Sequence, residues 1–216
     1  MSEGAPCRWA GDDPQYRAYH DDEWGRPVGE DRRLYEKLCL EGFQSGLSWL
    51  TILRKREAFR RAFASFDPEA VSRFGEADVA RLLQDASIVR HRGKIEAAIH
   101  NAARVREVQA ELGSFAALIW QFEPDPAERP DELTWEVLKT ISTTPASTRL
   151  AKALKARGFR FVGPTTAYAF MQSMGLVNDH VEGCPQRAVV ERERAAFTRP
   201  SQGFARARDV MLPSSP

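Results

Sequence analysis

The stretch Leu150–Gly175, LAKALKARGFRFVGPTTAYAFMQSMG, decides the fold. It opens as a basic amphipathic helix, turns through Gly158-Phe-Arg-Phe-Val-Gly163, and resumes as a helix near Pro164 to Thr166, where proline suits a first turn. Residues 149–175 therefore read as a helix-hairpin-helix. Gly158 and Gly163 let the backbone approach an anion closely, and the start of the second helix offers N–H groups without intrahelical partners. Lys152, together with Arg149, Lys155, Arg157 and Arg160, adds positive charge. A two-glycine turn is common between helices, so it is the neighbouring cations that make this one a candidate phosphate contact, blind to base sequence.

Working outward, helical periodicity continues on both sides. Asp31 is a candidate N-cap for a helix with Leu34, Leu38 and Glu41 on one stripe, ending near Gly42 and Gly46. Ser48 is the candidate cap of the next, with Leu50, Leu53, Phe59 and Phe63 at roughly helical spacing, and Asp67-Pro68 starts a short one. Further helices fit Glu76–Gln84 and Gly93–Leu112, the latter with a partly apolar stripe of Ile95, Ile99, Ala103 and Val105. The stretch Glu123–Pro145, rich in proline, acid and threonine, reads as a long connection holding one short helix at Leu133–Leu138. No segment alternates, so the expected class is all-α. A single domain is expected over residues 1–188, followed by an extension at 189–216 whose tail from Thr198 looks poorly ordered.

Composition narrows the class further. With 43% hydrophobic and 28% charged residues, the chain has the balance of a soluble globular protein, and no apolar run approaches the roughly 20 residues that span a bilayer. The start MSEGAPCRWAGDD lacks a secretory signal, so a monomer in the reducing cytoplasm, away from membranes, is expected. Three cysteines, at 7, 39 and 184, are too few and too scattered for a disulfide framework. The net charge of +1 hides three basic clusters: Arg54, Lys55, Arg56, Arg60 and Arg61; Arg90 to Lys94; and the hairpin set. Each is either a solvated helix face balanced by acids elsewhere or part of a polyanion contact.

Two constellations carry chemistry. His180 and Cys184 stand at i, i+4 in HVEGC, a spacing that on a helical turn aims both at one ion, and Cys7 with His20 supplies a second pair. A Cys2His2 set suits a closed structural zinc, although the spacing matches no common finger and leaves four unrelated buried residues as the alternative. Such a clasp would close a very long loop and link metal binding to folding. Glu41 falls on the apolar stripe of its helix, where an unpaired carboxylate is costly. It belongs either to a buried salt bridge or, with Tyr16, Tyr19, Trp24 and Trp49 around it, to a box for a cationic or hydrogen-bond-donating ligand.

Taken together these motifs resemble the DNA-3-methyladenine glycosylase I family. The resemblance runs through Cys7-Arg-Trp, DPQYRAYHDDEWG (Asp13–Gly25), CLEGFQSGLSW (Cys39–Trp49), IVRHRGKI (Ile88–Ile95), KALKARGFRFVG (Lys152–Gly163) and FMQSMGLVNDHVEGC (Phe170–Cys184). It covers roughly Cys7 to Cys184 and implies an all-helical fold of the helix-hairpin-helix glycosylase type. It also implies one structural zinc at Cys7, His20, His180 and Cys184, and a base pocket of Glu41, Tyr16, Tyr19 and Trp49 supported by Trp24. The implied activity is release of 3-methyladenine from double-stranded DNA containing alkylated bases, by hydrolysis of the N-glycosidic bond after base flipping.

Alkylation at N3 makes adenine a cationic leaving group, so recognition and positioning make up much of the enzyme's task. Leu47, between two helices, is the candidate apolar wedge that fills the gap in the duplex. Related glycosylases usually carry a catalytic Asp in a V-D-x-H sequence; here Val177 precedes Asn178, and no Schiff-base lysine stands out. A monofunctional hydrolase without strand cleavage is expected, with Asp179 supporting the metal or the fold. Phe43 and Ser45 are candidates for tuning the range of bases accepted.

Overall fold

The computed structural model describes residues 7–201, and among these there are helices and loops but no strand. In chain order the helices are α1 (Pro14–Asp22), α2 (Asp31–Gln44), α3 (Trp49–Ala62), α4 (Pro68–Val71), α5 (Glu76–Gln84), α6 (Arg92–Leu112), α7 (Phe115–Ile119), α8 (Trp135–Leu138), α9 (Pro145–Ala156), α10 (Pro164–Ser173) and α11 (Pro185–Ala196). No helix is long and apolar enough to cross a membrane among the described residues.

Helix α2 is the axis of the fold. It packs against α3, α6, α7 and α10, and every residue from Leu34 to Phe43 is buried. A helix buried all round is normally apolar all round. Here Glu36, Lys37 and Glu41 are buried with it, so polar groups sit inside the protein and need partners there. The aromatic core lies against one side of α2, where Phe43, Phe59, Phe63 and Phe66 touch in sequence.

Several local expectations hold at the level of single hydrogen bonds. Ser48 caps α3 by accepting from Thr51 N, and Asp67 caps α4 ahead of Pro68. Asp31 does otherwise: Glu30 is the N-cap residue of α2, and the Asp31 carboxylate accepts from Phe115 N, Ala116 N and Gln109 Nε2. It serves the N-terminus of α7, where backbone donors outnumber what the cap Ser114 can satisfy.

The hairpin forms as read, with α9 against α10 and Gly158 at φ +83° in the turn. Helix α10 leans on α2, which brings the hairpin beside Glu41. The boundary drawn after residue 188 falls inside α11. That helix is tied down by Asn178 Nδ2 donating to Glu191 (2.7 Å), by Arg26 pairing with Glu193 and by Arg194 pairing with Glu123 (2.7 Å). Phe197 then packs on Trp120, with ring centroids 4.6 Å apart. Of the tail expected to lack order, residues 202–216 lie outside the described residues.

Candidate active site and metal cluster

Helix α1 presents Tyr16, Tyr19 and His20 within one turn, so the two tyrosines reach a cavity while His20 reaches the cluster behind it. The cavity, about 190 Å³, is also lined by Trp9, Trp24, Lys37, Glu41 and Trp49. Its floor comes from α2, its sides from α1 and the start of α3. The five residues expected to form a base pocket are therefore together. Tyr19 lies 5.3 Å from Trp49 between ring centroids, and Trp9 lies 5.1 Å from Tyr16 and 4.8 Å from Trp24. The Trp49 indole N–H is buried and meets no acceptor among the described residues.

Glu41 makes the buried salt bridge that its sequence position allowed and also lines the cavity. Its Oε1 is 2.8 Å from Lys37 Nζ, one turn back on α2. Lys37 further donates to Tyr19 Oη at 2.8 Å and stands 3.1 Å from the centre of the Trp49 ring. Burial pushes the Lys37 ammonium down to about 8, against the opposing pull of Glu41. Burial, then the Glu41 charge, raises Tyr16 and Tyr19, so both phenols stay protonated. Lys37 was missed in the sequence, although its place four residues before Glu41 on a helix is the signal for such a pair.

A second cavity, about 200 Å³, shares Glu41 and Gln44 with the first and extends past Leu47 to Thr165 and Thr166 at the start of α10. Leu47, expected as a wedge, is 42% exposed, and follows Gly46 at φ +84°. Lys94 holds this loop by donating to Phe43 O (2.9 Å) and Ser45 O (2.6 Å), carbonyls left over at the end of α2. That member of the basic motif Arg90–Lys94 is thus structural. Across the way, Gly163 caps α10 without a side-chain hydrogen bond, and the space a Cβ would enter there is open. Lys152 and Gly158 are exposed on the same hairpin.

The basic clusters divide unevenly. Arg54 pairs with Asp13, Arg56 with both oxygens of Glu23 and Arg60 with Glu36, so most of the first cluster balances acids on neighbouring helices. In the hairpin set Arg149 pairs with Glu128 and Arg157 with Glu111, whereas Lys152, Lys155 and Arg160 enter no ion pair among the described residues.

Cys7, His20, His180 and Cys184 converge, all buried, with their ligand atoms within 4.8 Å of one another. His180 and Cys184 meet through a turn at Val181–Cys184, with Gly183 at φ +81°, rather than along the helical turn their spacing suggested. The turn prevails because Cys184 is the N-cap of α11 and Gly183 adopts a left-handed conformation. His180 Nδ1 is 3.1 Å from His20 Nε2; Cys184 Sγ is 3.5 Å from His180 Nδ1 and 3.7 Å from His20 Nε2; Cys7 Sγ is 3.9 Å from His180 Nδ1. A tetrahedron with zinc-like bond lengths has edges of about 3.3 Å between nitrogens and about 3.6 Å from sulfur to nitrogen, so the donor set fits a single ion of that size.

The outer nitrogens agree with this. His20 Nδ1 is 2.7 Å from the Asp21 carboxylate and His180 Nε2 is 3.0 Å from Trp24 O, which leaves His20 Nε2 and His180 Nδ1 to face inward. Burial lowers His180 to about 4, keeping it in the neutral form a metal takes, and pushes the Cys7 thiol up to about 12 in the absence of a cation. Asp179 is bonded to Tyr168, Gln172 and Arg129 rather than to a cluster histidine. Asn178 turns away from the cavity to hold Arg187 O and Glu191, and accepts from His180 N.

A family model described as methyladenine glycosylase matches residues 9–188. The chain is 49% identical over 178 residues to DNA-3-methyladenine glycosylase 1 of Escherichia coli strain K12, covering 82% of this chain and 94% of the relative. It is 44% identical to the DNA-3-methyladenine glycosylase of Haemophilus influenzae, over 83% of this chain and 96% of that one. Among solved structures, 3-methyladenine DNA glycosylase I from Staphylococcus aureus, described for its recognition of 3-methyladenine, superposes with a TM-score of 0.77 at 37% identity, covering 84% of this chain and 96% of the other.

Proposed function

Because the chain belongs to the methyladenine glycosylase family, we propose that it excises 3-methyladenine from alkylated double-stranded DNA by hydrolysing the N-glycosidic bond, leaving an abasic site for base-excision repair. The observation that carries this reading is an aromatic cavity with the Glu41 carboxylate on its floor, the other carboxylate of its lining, Asp179, being paired with Arg129. The volume suits a single planar base. The two cavities that meet at Glu41 give an extruded base a path from the hairpin side.

Each residue then has a task that its surroundings support. Trp49 and Tyr19 stack on the base, Tyr16 and Trp24 close the sides, and Glu41 accepts a hydrogen bond from the base. The protonated tyrosines and the buried carboxylate are held before the ligand arrives, so little rearrangement opposes binding. As the C1′–N bond breaks, its electron pair passes to the base and cancels the charge left by methylation. Water supplies oxygen to C1′ and gives its proton to solvent. Asn178 cannot act as a base in this step, and its hydrogen bonds occupy it elsewhere. Leu47 fills the place vacated in the duplex, while Lys152 and the backbone at Gly158 and Gly163 hold phosphates.

Cys7, His20, His180 and Cys184 hold one zinc. Four protein ligands leave no position for substrate, so the metal joins the chain ends rather than taking part in catalysis. The protein acts as a cytoplasmic monomer whose glycosylase domain spans residues 1–188, with residues 189–201 bracing the fold from outside. The test is release of free 3-methyladenine from methylated DNA: the wild type releases it, Glu41→Ala does not, and neither nicks an abasic strand. Absence of release by the wild type overturns the reading.

A further inference from the structure

The pocket's charge is decided by one lysine. Lys37 Nζ is 2.8 Å from Glu41 Oε1, 2.8 Å from Tyr19 Oη and 3.1 Å from the centre of the Trp49 ring, and the residue is 95% buried. Of the other charged groups near it, Arg33, one turn back on α2, is exposed, enters no ion pair among the described residues and does not line the base cavity, and the rest are matched. Glu23, at the end of α1, is held by both nitrogens of Arg56 from α3, and Glu36 of α2 by Arg60 from α3. On the cavity side Asp179 is paired with Arg129, and Lys139 with Glu136. Ser173 and Met174 at the end of α10 bring no charge. Among the charged residues that line the base cavity, Glu41 and Lys37 are left to set the field felt by a base there.

We propose that Lys37 is a specificity-determining residue of the base pocket: its ammonium, wedged between the Glu41 carboxylate, the Tyr19 hydroxyl and the Trp49 ring, cancels the negative charge there and favours a neutral base over a cationic one. The inference rests on the base-pocket reading above. Its consequence follows from the charge changes of the reaction. The methylated base enters as a cation and leaves neutral, its charge passing to the sugar as the glycosidic bond opens. An ammonium beside the base raises the energy of the bound cation more than that of the departing neutral base, which speeds cleavage at a cost in substrate affinity. Burial also brings Lys37 down to about 8, so the pocket turns from neutral to anionic as pH rises past that value.

Two probes separate these states: neutral 3-methyladenine and the 3,9-dimethyladeninium cation, which carries one further methyl where the sugar joins, a difference common to every pH and variant compared. Their affinities for the full-length protein are measured by tryptophan quenching between about pH 6.5 and about pH 9.5, spanning the lysine's titration. In the wild type the cation-to-neutral affinity ratio rises about tenfold or more, with its midpoint near pH 8. Lys37→Met, similar in shape but uncharged, shows the raised ratio already at about pH 7, with a lower KM and a lower single-turnover rate. Lys37→Arg keeps the low ratio throughout, because guanidinium does not titrate in this range. A ratio that ignores pH in the wild type, or that is the same in wild type and Lys37→Met at about pH 7, overturns the role of Lys37 and leaves the pocket reading intact. Failure of both probes to bind the wild type overturns the pocket reading itself.

Discussion

Gly175 lies where α10 ends and the chain turns toward His180, and replacing it by alanine should be among the costliest single-methyl additions in this protein. Its φ is +77°, and an added Cβ would lie 2.5 Å from Arg26 C, 2.5 Å from Pro27 N and 2.6 Å from Pro27 Cα. All three are backbone atoms with no side-chain torsion to yield, and ordinary contact requires roughly 1 Å more than this. The left-handed conformation costs about 1–2 kcal/mol for a residue with a Cβ, and overpacking of this severity about 1–3 kcal/mol more. A total loss of about 2–5 kcal/mol corresponds to a fall in Tm of about 5–15 °C for a chain of this size. Relief would also pull on Val28 N, which donates to Met174 O at 3.2 Å, and on the segment that delivers His180. Gly46→Ala is the control: its φ is +84° but no atom lies within 4 Å of the added Cβ, so only the conformational cost of about 1–2 kcal/mol applies. Urea unfolding of both variants measures the difference. If Gly175→Ala loses no more than Gly46→Ala, the close approach of residues 26–27 to Gly175 is not what makes glycine necessary.

The proposed zinc clasp predicts that metal removal loosens the whole domain, since closing 173 residues between Cys7 and His180 is worth about 5 kcal/mol in chain entropy. Chelation or Cys184→Ser should therefore lower unfolding stability by a few kcal/mol, and unchanged zinc content in that variant would sink the clasp. Glu41→Gln should lower base release about 10²–10³-fold while the protein still binds undamaged duplex, as expected for the loss of one charged pocket group; near-normal release would remove Glu41 from the mechanism. Leu47→Ala should weaken excision from duplex but leave binding of free 3-methyladenine unchanged, and a parallel loss of both would point to a collapsed loop instead. Because burial lowers Lys37 from 10.5 to about 8, the unfolded chain holds the extra proton between those values. Stability of the wild type relative to Lys37→Met should thus rise with pH across that window, by about 3 kcal/mol at most, and a flat difference in urea midpoints would refute it.

What the sequence disclosed and what it hid divide along one physical line. Signals confined to a few residues were readable: Ser48 before its helix, Asp67-Pro68, and the glycine turn between α9 and α10. Contacts between distant segments were not. Asp31 looked like a cap because it precedes a helix, yet its carboxylate serves donors 84 and 85 residues away. For the cluster at Arg54–Arg61 the sequence left open a face balanced by acids or a polyanion contact, and only the packing of α3 beside Asp13, Glu23 and Glu36 decides for the first over most of it. Lys37 is the intermediate case, since the i, i+4 spacing to Glu41 was visible but its burial against Trp49 depended on α3 folding over it. The Cys and His set stood out as residue types, while the turn that joins His180 to Cys184 depended on Gly183.

All three cysteines of the chain are buried, two of them in the cluster and Cys39 within α2. The electrophiles that methylate adenine in DNA also attack thiolates, which are among the strongest nucleophiles a protein offers. A repair enzyme is needed most when such reagents are present, and an exposed cysteine would then be consumed alongside the genome. By keeping every sulfur of the cysteine type away from solvent, the fold lets this protein outlast the exposure that creates its substrate.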